Sequence, residues 1–284
     1  MTPESRYFTS QRLKLHYLVW GDESKPPLIL VHGNRDHARN WDRVAKALVD
    51  RYCIYVPDLR GHGDSEWAIG GDYSIIDYAL DMHALGEAIG RAPYDIIAHS
   101  LGGGITLQYA GTFPEKVRKI VTIEGLGGLG WADGPRRPAH VRMRQWIESM
   151  RQLEQRKPRI YPSIDAALQR MKEANAHLTD ELARHLTETG VRKVEGGYTW
   201  KFDNYTHAGS PYEFNMEDAR DLWNQIRAPI LIIWGEESWG KRFKSLDLSA
   251  FHNYRVARVP NAGHWVHHDQ FDTFIKLVTE FLAE

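Results

Sequence analysis

The sequence predicts an α/β protein, a mainly parallel sheet covered by helices on both faces. Three observations lead there. Five short apolar runs read as fully buried strands: Leu28–Val31, Cys53–Pro57, Asp95–Ala98, Lys119–Ile123 and Ile230–Trp234. Helical stretches separate most of them, the alternation expected when parallel strands are joined by crossover helices. The length of 284 residues, with 42% hydrophobic and 26% charged residues, suits one large domain or two modest ones and excludes wholesale disorder.

In chain order, Leu13–Trp20 alternates apolar and polar residues and is expected as an antiparallel edge strand. Helices are expected over Trp41–Val49, Tyr73–Ile89 and Leu101–Thr112, each between two of the buried runs. Between about Gly125 and Asn215 no run resembles a buried strand. Within His140–Gln155 the apolar residues Met143, Ile147, Met150 and Leu153 recur at helical spacing. Ser163 and Thr179 are placed to N-cap two further helices, and Gly190 to close the second. Val191–Phe202 reads as a small hairpin turning at Gly196 and Gly197. Arg255–Val259 alternates more than the other runs and belongs nearer a sheet edge. The expected organisation is a core of residues 1–125 and 216–284 carrying a mainly helical insert, 126–215.

Charge and composition narrow the function. Lys and Arg total 36 against 37 for Asp and Glu, a formal charge of -1, which gives no global field to hold a nucleic acid. Cys53, the single cysteine, can form no internal disulfide and no cysteine-based metal site. The longest apolar runs fall far short of the roughly 20 residues that span a bilayer. Nothing in the first residues, from Met1 to Arg6, resembles a signal peptide. A soluble cytoplasmic protein without membrane or nucleic-acid partners is the expectation.

The sharpest local signal is Ala98-His99-Ser100-Leu101-Gly102, where a buried strand runs into a helix. Small-x-Ser-x-Gly in that context is a nucleophile elbow, with Ala98 in place of the first glycine. Small residues are needed because the turn is tight and strained, and the turn presents the serine hydroxyl at a helix N-terminus. A second motif, Gly125-x-Gly127-x-x-Gly130, fits a dinucleotide-binding pattern. Pro135 and Pro138 follow, where that pattern requires a helix to begin, so the glycines are read as an entrance to the insert.

From the elbow onward the chain resembles the α/β-hydrolase superfamily, in particular its serine hydrolases and carboxylesterases with a helical cap. Val31-His32-Gly33-Asn34 looks like the family's oxyanion loop. Asp58-Leu59-Arg60-Gly61-His62-Gly63-Asp64-Ser65 is similar to its Asp-x-Arg-Gly-x-Gly-x-Ser segment. Asn261-Ala262-Gly263-His264-Trp265 matches the loop that delivers its catalytic histidine. The resemblance implies Ser100 as nucleophile, His264 as general base, and backbone amides of Asn34 and Leu101 as the oxyanion hole. It implies no cofactor, and none is expected, nor any metal. His267, His268 and Asp269 are read as solvated groups rather than ligands.

The acid departs from the commoner family pattern. Where many members carry Asp in Gly-x-x-Asp, this chain has Gly235-Glu236-Glu237-Ser238. Another subset takes its acid from the tip of the strand after the elbow helix, and here that tip is Glu124. Its place between Ser100 and His264 keeps the family's order of serine, acid and histidine. Glu236 and Glu237 stand as alternatives.

The implied reaction is hydrolysis of a small-molecule carboxylic ester through an acyl-enzyme. Aspartate-dependent epoxide and haloalkane chemistry does not fit a serine at the elbow. Two readings stay open beside it: a carbon–carbon bond hydrolase of the meta-cleavage-product type, which His264-Trp265 resembles, and a non-catalytic ligand-binding member. His62 and His99 are read as shaping loops beside the site. Candidates to line the pocket are His99, Trp131, Trp146 and Trp265. Tyr161, Trp200, Phe202 and Tyr205 are further aromatics of the insert, divided between pocket and insert core. The stretch from Arg136 to Arg159 is strongly basic, with Glu148 and Glu154 its only acids. It is read first as a solvated helix face and second as a source of an arginine for a substrate carboxylate.

Overall fold

The structure is a computed structural model; it describes the chain apart from residues 72, 128–136, 209–211, 213–214 and 239–246. Its strands are β1 (Glu4–Ser10), β2 (Leu13–Trp20), β3 (Pro27–Val31), β4 (Cys53–Pro57), β5 (Tyr94–His99), β6 (Val117–Ile123), β7 (Val191–Val194), β8 (Gly197–Trp200), β9 (Ile230–Gly235) and β10 (Tyr254–Val259). Eight of them form one sheet in the order β1-β2-β4-β3-β5-β6-β9-β10. β1 and β2 join antiparallel, and every pairing from β4 to β10 is parallel.

Successive residues of each central strand face opposite sides, and both sides are covered. Ile29, Tyr55, Ile96, Ile120 and Ile232 point into one buried cluster, with Met82, Ile105 and Trp223. These last three come from helices α2 (Ile75–Ile89), α3 (Leu101–Thr112) and α7 (Met216–Gln225). Leu28, Ile54, Ile97, Val121 and Ile233 point the other way, against Val44 of α1 (Asp42–Leu48) and Phe274 and Val278 of α8 (Phe271–Ala283). Burial on both faces is why these strands read as continuous apolar runs.

β2 is antiparallel as expected but is not the edge: β1 lies outside it. β1 buries only Phe8 and Ser10, so its sequence carries almost no hydrophobic period. β10 is the opposite edge.

Between β6 and α7, the described residues form α4 (Ala139–Gln155), α5 (Ile164–Ala174), α6 (Asp180–Gly190) and the β7–β8 hairpin. Ser163 and Thr179 accept from the amides of Ala166 and Leu182 at 3.2 and 3.3 Å, as N-caps do. In α4 the expected apolar stripe is not the buried one: Met143 and Ile147 are 39% and 46% exposed, and Leu153 alone is buried. Tyr161, Trp200 and Val191 pack on one another as the insert's own small core, rather than facing the main sheet.

Candidate active site

In a parallel sheet, the loops after the strand C-termini share one edge, and ligands bind there. Four such loops each hold a non-glycine residue at positive φ: Arg35 after β3, Ser100 after β5, Glu124 after β6 and Asn261 after β10. The left-handed region costs such residues about 1–3 kcal/mol apiece, and that strain collects where function needs it.

Ser100 sits at φ 51 and ψ −115, between β5 and the first turn of α3. Its amide donates to Ile123 O at 2.8 Å, and Glu124 N donates to Ile233 O at 3.0 Å. Adjacent strand tips are thus stitched one residue past their ends, which sets Ser100 and Glu124 side by side. The turn is tight enough that a Cβ on Gly125 would come 2.5 Å from Ser100 O. The α3 bonding begins at Gly103 N to Ser100 O, so the amide of Leu101 lies ahead of the helical ladder, free of an intrahelical acceptor.

The Glu124 side chain is 1% exposed, and both carboxylate oxygens are held. Oε1 accepts from the amide of Gly235, and Oε2 from the hydroxyl of Ser238, each at 2.7 Å. Oε2 also lies 3.6 Å from His264 Nδ1, an ion-pair separation longer than a hydrogen bond. Catalytic hydrogen bonds are commonly long before substrate arrives. Gly235 is indispensable to this arrangement, since a Cβ there would meet Gly263 O at 2.2 Å.

His264 is held through its main chain. His99 Nε2 donates to His264 O at 2.9 Å, and Asp269 Oδ2 accepts from the neighbouring Gly263 N at 2.8 Å. Burial, then the proximity of His264, pushes the His99 imidazole well below its ordinary range, so it serves as a neutral donor. The insert reaches the same loop: Asn175 Nδ2 donates to Asp269 Oδ1 at 3.1 Å, and His177 pairs with Glu237 at 3.2 Å.

The loop after β3, from His32 to Asn34, is set by two histidines. His32 Nε2 accepts from Leu59 N at 3.0 Å, which leaves the proton on Nδ1, and Nδ1 donates to Gly33 O at 2.7 Å. Burial pulls His32 down to about 3, so the ring is neutral and those two hydrogen bonds fix its tautomer. With the Gly33 carbonyl held, the planar peptide turns the Asn34 amide hydrogen to the opposite side. His62 Nε2 meets the Asn34 side chain at 3.2 Å, and burial lowers it to about 4. Asp36 accepts from His37 N and from the Asn40 side chain, and the Trp265 indole also hydrogen-bonds it. Burial pushes the Asp36 carboxyl up to about 7.

The structure therefore brings Ser100, Glu124, His264, Leu101 and Asn34 to one edge. Glu236 and Glu237 are exposed, with Glu237 on His177 rather than His264. His99 is not a pocket wall: it is 2% exposed and lies beneath the histidine loop. Trp265 stands beside the histidine, its ring 5.4 Å from that of His264. Trp146 is half-buried in α4, and Trp131 lies outside the described residues. His267 and His268 are buried rather than solvated, and His267 Nε2 meets Asn40 Oδ1 at 2.9 Å. Sequence reasoning missed Ser238 as a partner of the acid. The available signal was its position, the very place where many hydrolases carry the carboxylate.

An elbow serine, a buried strand-tip carboxylate and a histidine loop on this strand order define an α/β hydrolase. The chain belongs to that family: the sequence profile of the alpha/beta hydrolase fold matches residues 26–271. It is 25% identical to a serine hydrolase-like protein of Danio rerio, over 93% of this chain and 83% of that one. It is 26% identical to the sn-1-specific diacylglycerol lipase ABHD11 of Mus musculus, over 95% of this chain and 86% of the relative. The crystal structure of a hypothetical protein from Pseudomonas aeruginosa superposes with a TM-score of 0.87 at 24% identity, covering 99% of this chain and all of the other. A thioesterase domain from the curacin biosynthetic pathway shares the fold at a TM-score of 0.82 and 18% identity, covering 98% of this chain and all of that domain. No helix among the described residues is long and apolar enough to cross a membrane.

Proposed function

We propose that the protein is a serine esterase, cleaving a small-molecule carboxylic ester through an acyl-enzyme. One observation carries the reading. The Glu124 carboxylate, fixed by Gly235 and Ser238, stands 3.6 Å from His264 Nδ1, on the strand tip beside the elbow that bears Ser100. Serine hydrolase-like and lipase relatives support an ester as the bond attacked.

In this mechanism Ser100 Oγ attacks the acyl carbon and His264 takes its proton. Glu124 keeps the imidazole oriented and stabilises its positive form. The amides of Leu101 and Asn34 receive the oxyanion, each contributing roughly 3–4 kcal/mol because they are aligned beforehand. His264 then protonates the leaving alcohol, and water hydrolyses the acyl-serine by the reverse proton path. The insert acts as a cap over the pocket and selects the acyl group.

Turnover of p-nitrophenyl esters of increasing acyl length tests the proposal. Wild type is expected to hydrolyse them, with one preferred length, and Ser100→Ala to retain less than about one thousandth of the rate. Activity surviving in Ser100→Ala would overturn it.

A further inference from the structure

At the antiparallel edge of the sheet the chain assembles a hydrogen-bonded line of serine, histidine and aspartate. Ser5 Oγ lies 2.8 Å from His16 Nε2, and His16 Nδ1 lies 2.6 Å from Asp58 Oδ2. The strand register makes this arrangement: His16 stands opposite Tyr7, so Ser5 is its diagonal neighbour across the β1–β2 ladder. Asp58 follows β4, which pairs with β2 on the other side.

The protons in this line follow from the partners. Asp58 acts as an acceptor throughout, taking the amides of Ala38 and Asp64 at 2.7 and 3.0 Å besides His16. Burial works against its charge, yet the hydrogen bonds from His16 and the Asp64 amide outweigh burial and hold the carboxyl well below its usual range. His16 therefore carries its proton on Nδ1, and its Nε2 lone pair receives the Ser5 hydroxyl. That is the tautomer a general base needs. His16 and Asp58 are 4% and 3% exposed, whereas Ser5 is exposed to solvent. Base and acid are sheltered, and the nucleophile is accessible.

We propose that Ser5 is a second nucleophilic site, a modification site acylated once per chain by small activated esters. Ser5 Oγ bonds to the acyl carbon while its proton passes to His16 Nε2. The carbon–oxygen bond to the leaving group then breaks, and that group departs with the proton from His16. No helix begins at Ser5, which lies within a regular strand, so no set of aligned helix-terminal amides receives the oxyanion. Acylation is accordingly slow, and the acyl-serine accumulates rather than turning over. This goes beyond the esterase reading and stands whether or not Ser100 is catalytic.

The experiment uses the full-length Ser100→Ala protein, incubated with p-nitrophenyl acetate and digested for peptide mass mapping. The expected result is a single acetyl group on Ser5, with at least about tenfold less on Ser24 in the same molecule. Ser24 is the internal control: it too is exposed, but its hydroxyl bonds Asp22. His16→Gln should slow Ser5 acetylation by about tenfold or more, measured against a circular-dichroism check of folding. Acetylation of Ser5 no faster than of Ser24 would overturn the proposal without reliance on any variant at His16. So would an unchanged rate in folded His16→Gln.

Discussion

The molecule holds a serine, a histidine and a carboxylate at each of two places, the sheet's antiparallel edge and its strand C-termini, and the two differ in an instructive way. At the sheet edge, Ser5, His16 and Asp58 are fully hydrogen-bonded, at 2.8 and 2.6 Å. At the strand C-termini, His264 and Glu124 stand 3.6 Å apart. By side-chain contacts alone the edge line is the better formed. Yet only the elbow has a serine at positive φ just ahead of a helix, a neighbouring loop whose Gly33 carbonyl is anchored by His32, and contacts from Asn175 and His177 to the loops beside it. Catalysis depends on donors aimed in advance at charge that develops during reaction, and a serine–base–acid chain supplies only part of that. We propose turnover at the elbow and a single acylation at the edge on the strength of that difference.

The largest effect that sharpens this contrast is expected at the acid. Glu124→Gln should lower kcat for p-nitrophenyl esters by about a thousandfold or more, as removal of a triad carboxylate does. Glu237→Gln, whose carboxylate pairs with His177 rather than His264 among the described residues, should stay within about threefold on the same reasoning. A reversed pattern in steady-state kinetics would relocate the acid to the β9 loop.

A smaller effect is expected at Ser238. Its hydroxyl supplies one of the two fixed hydrogen bonds to Glu124. Ser238→Ala removes a bond of about 1–1.5 kcal/mol, so kcat should drop about tenfold with KM little changed. A KM effect without a kcat effect would show that Ser238 contacts substrate instead.

Buried histidines around the elbow make stability pH-dependent. Burial lowers His32 and His268 to about 3 and His62 to about 4. The unfolded chain takes up these protons near pH 6.5 and the folded chain only near pH 4 and below. Their contribution is therefore full above about pH 6.5 and is lost as the pH falls toward 4. Asp36, raised to about 7 by burial, acts in the opposite sense, stabilising at low pH and losing that as pH rises through 7. The histidines outnumber it, so urea denaturation should give a lower midpoint at pH 5 than at pH 7. An equal or higher midpoint at pH 5 would contradict the neutral assignment of these imidazoles. Smallest of all, Ser5→Ala should leave ester turnover within about twofold, because the edge line takes no part in it.

The strands, the elbow and the histidine loop were legible because their signals are local: continuous apolar runs, small residues at a tight turn, and a strand–loop–helix boundary. Glu124 was legible only through its position at a strand tip. β1 escaped because an edge strand with one apolar residue buried, Phe8, has no period to read. Ser238 and Gly235 as partners of Glu124 escaped because their contacts span more than a hundred residues and depend on strand order. The edge line escaped for the same reason: nothing in the spacing of Ser5, His16 and Asp58 announces a shared register. In α4, periodicity foretold a helix but not which face the rest of the molecule would cover.

In the proposed mechanism, hydrolysis passes through an acyl group on Ser100. Rapid acid quenching of wild type during turnover of a slow p-nitrophenyl ester, followed by peptide mass mapping, tests it directly. An acyl adduct on Ser100 is expected to appear with the burst of p-nitrophenolate and to decay at the turnover rate, while any adduct on Ser5 builds up slowly and persists. Sustained ester turnover with no adduct on Ser100, or with the kinetically competent adduct on another residue, would contradict it.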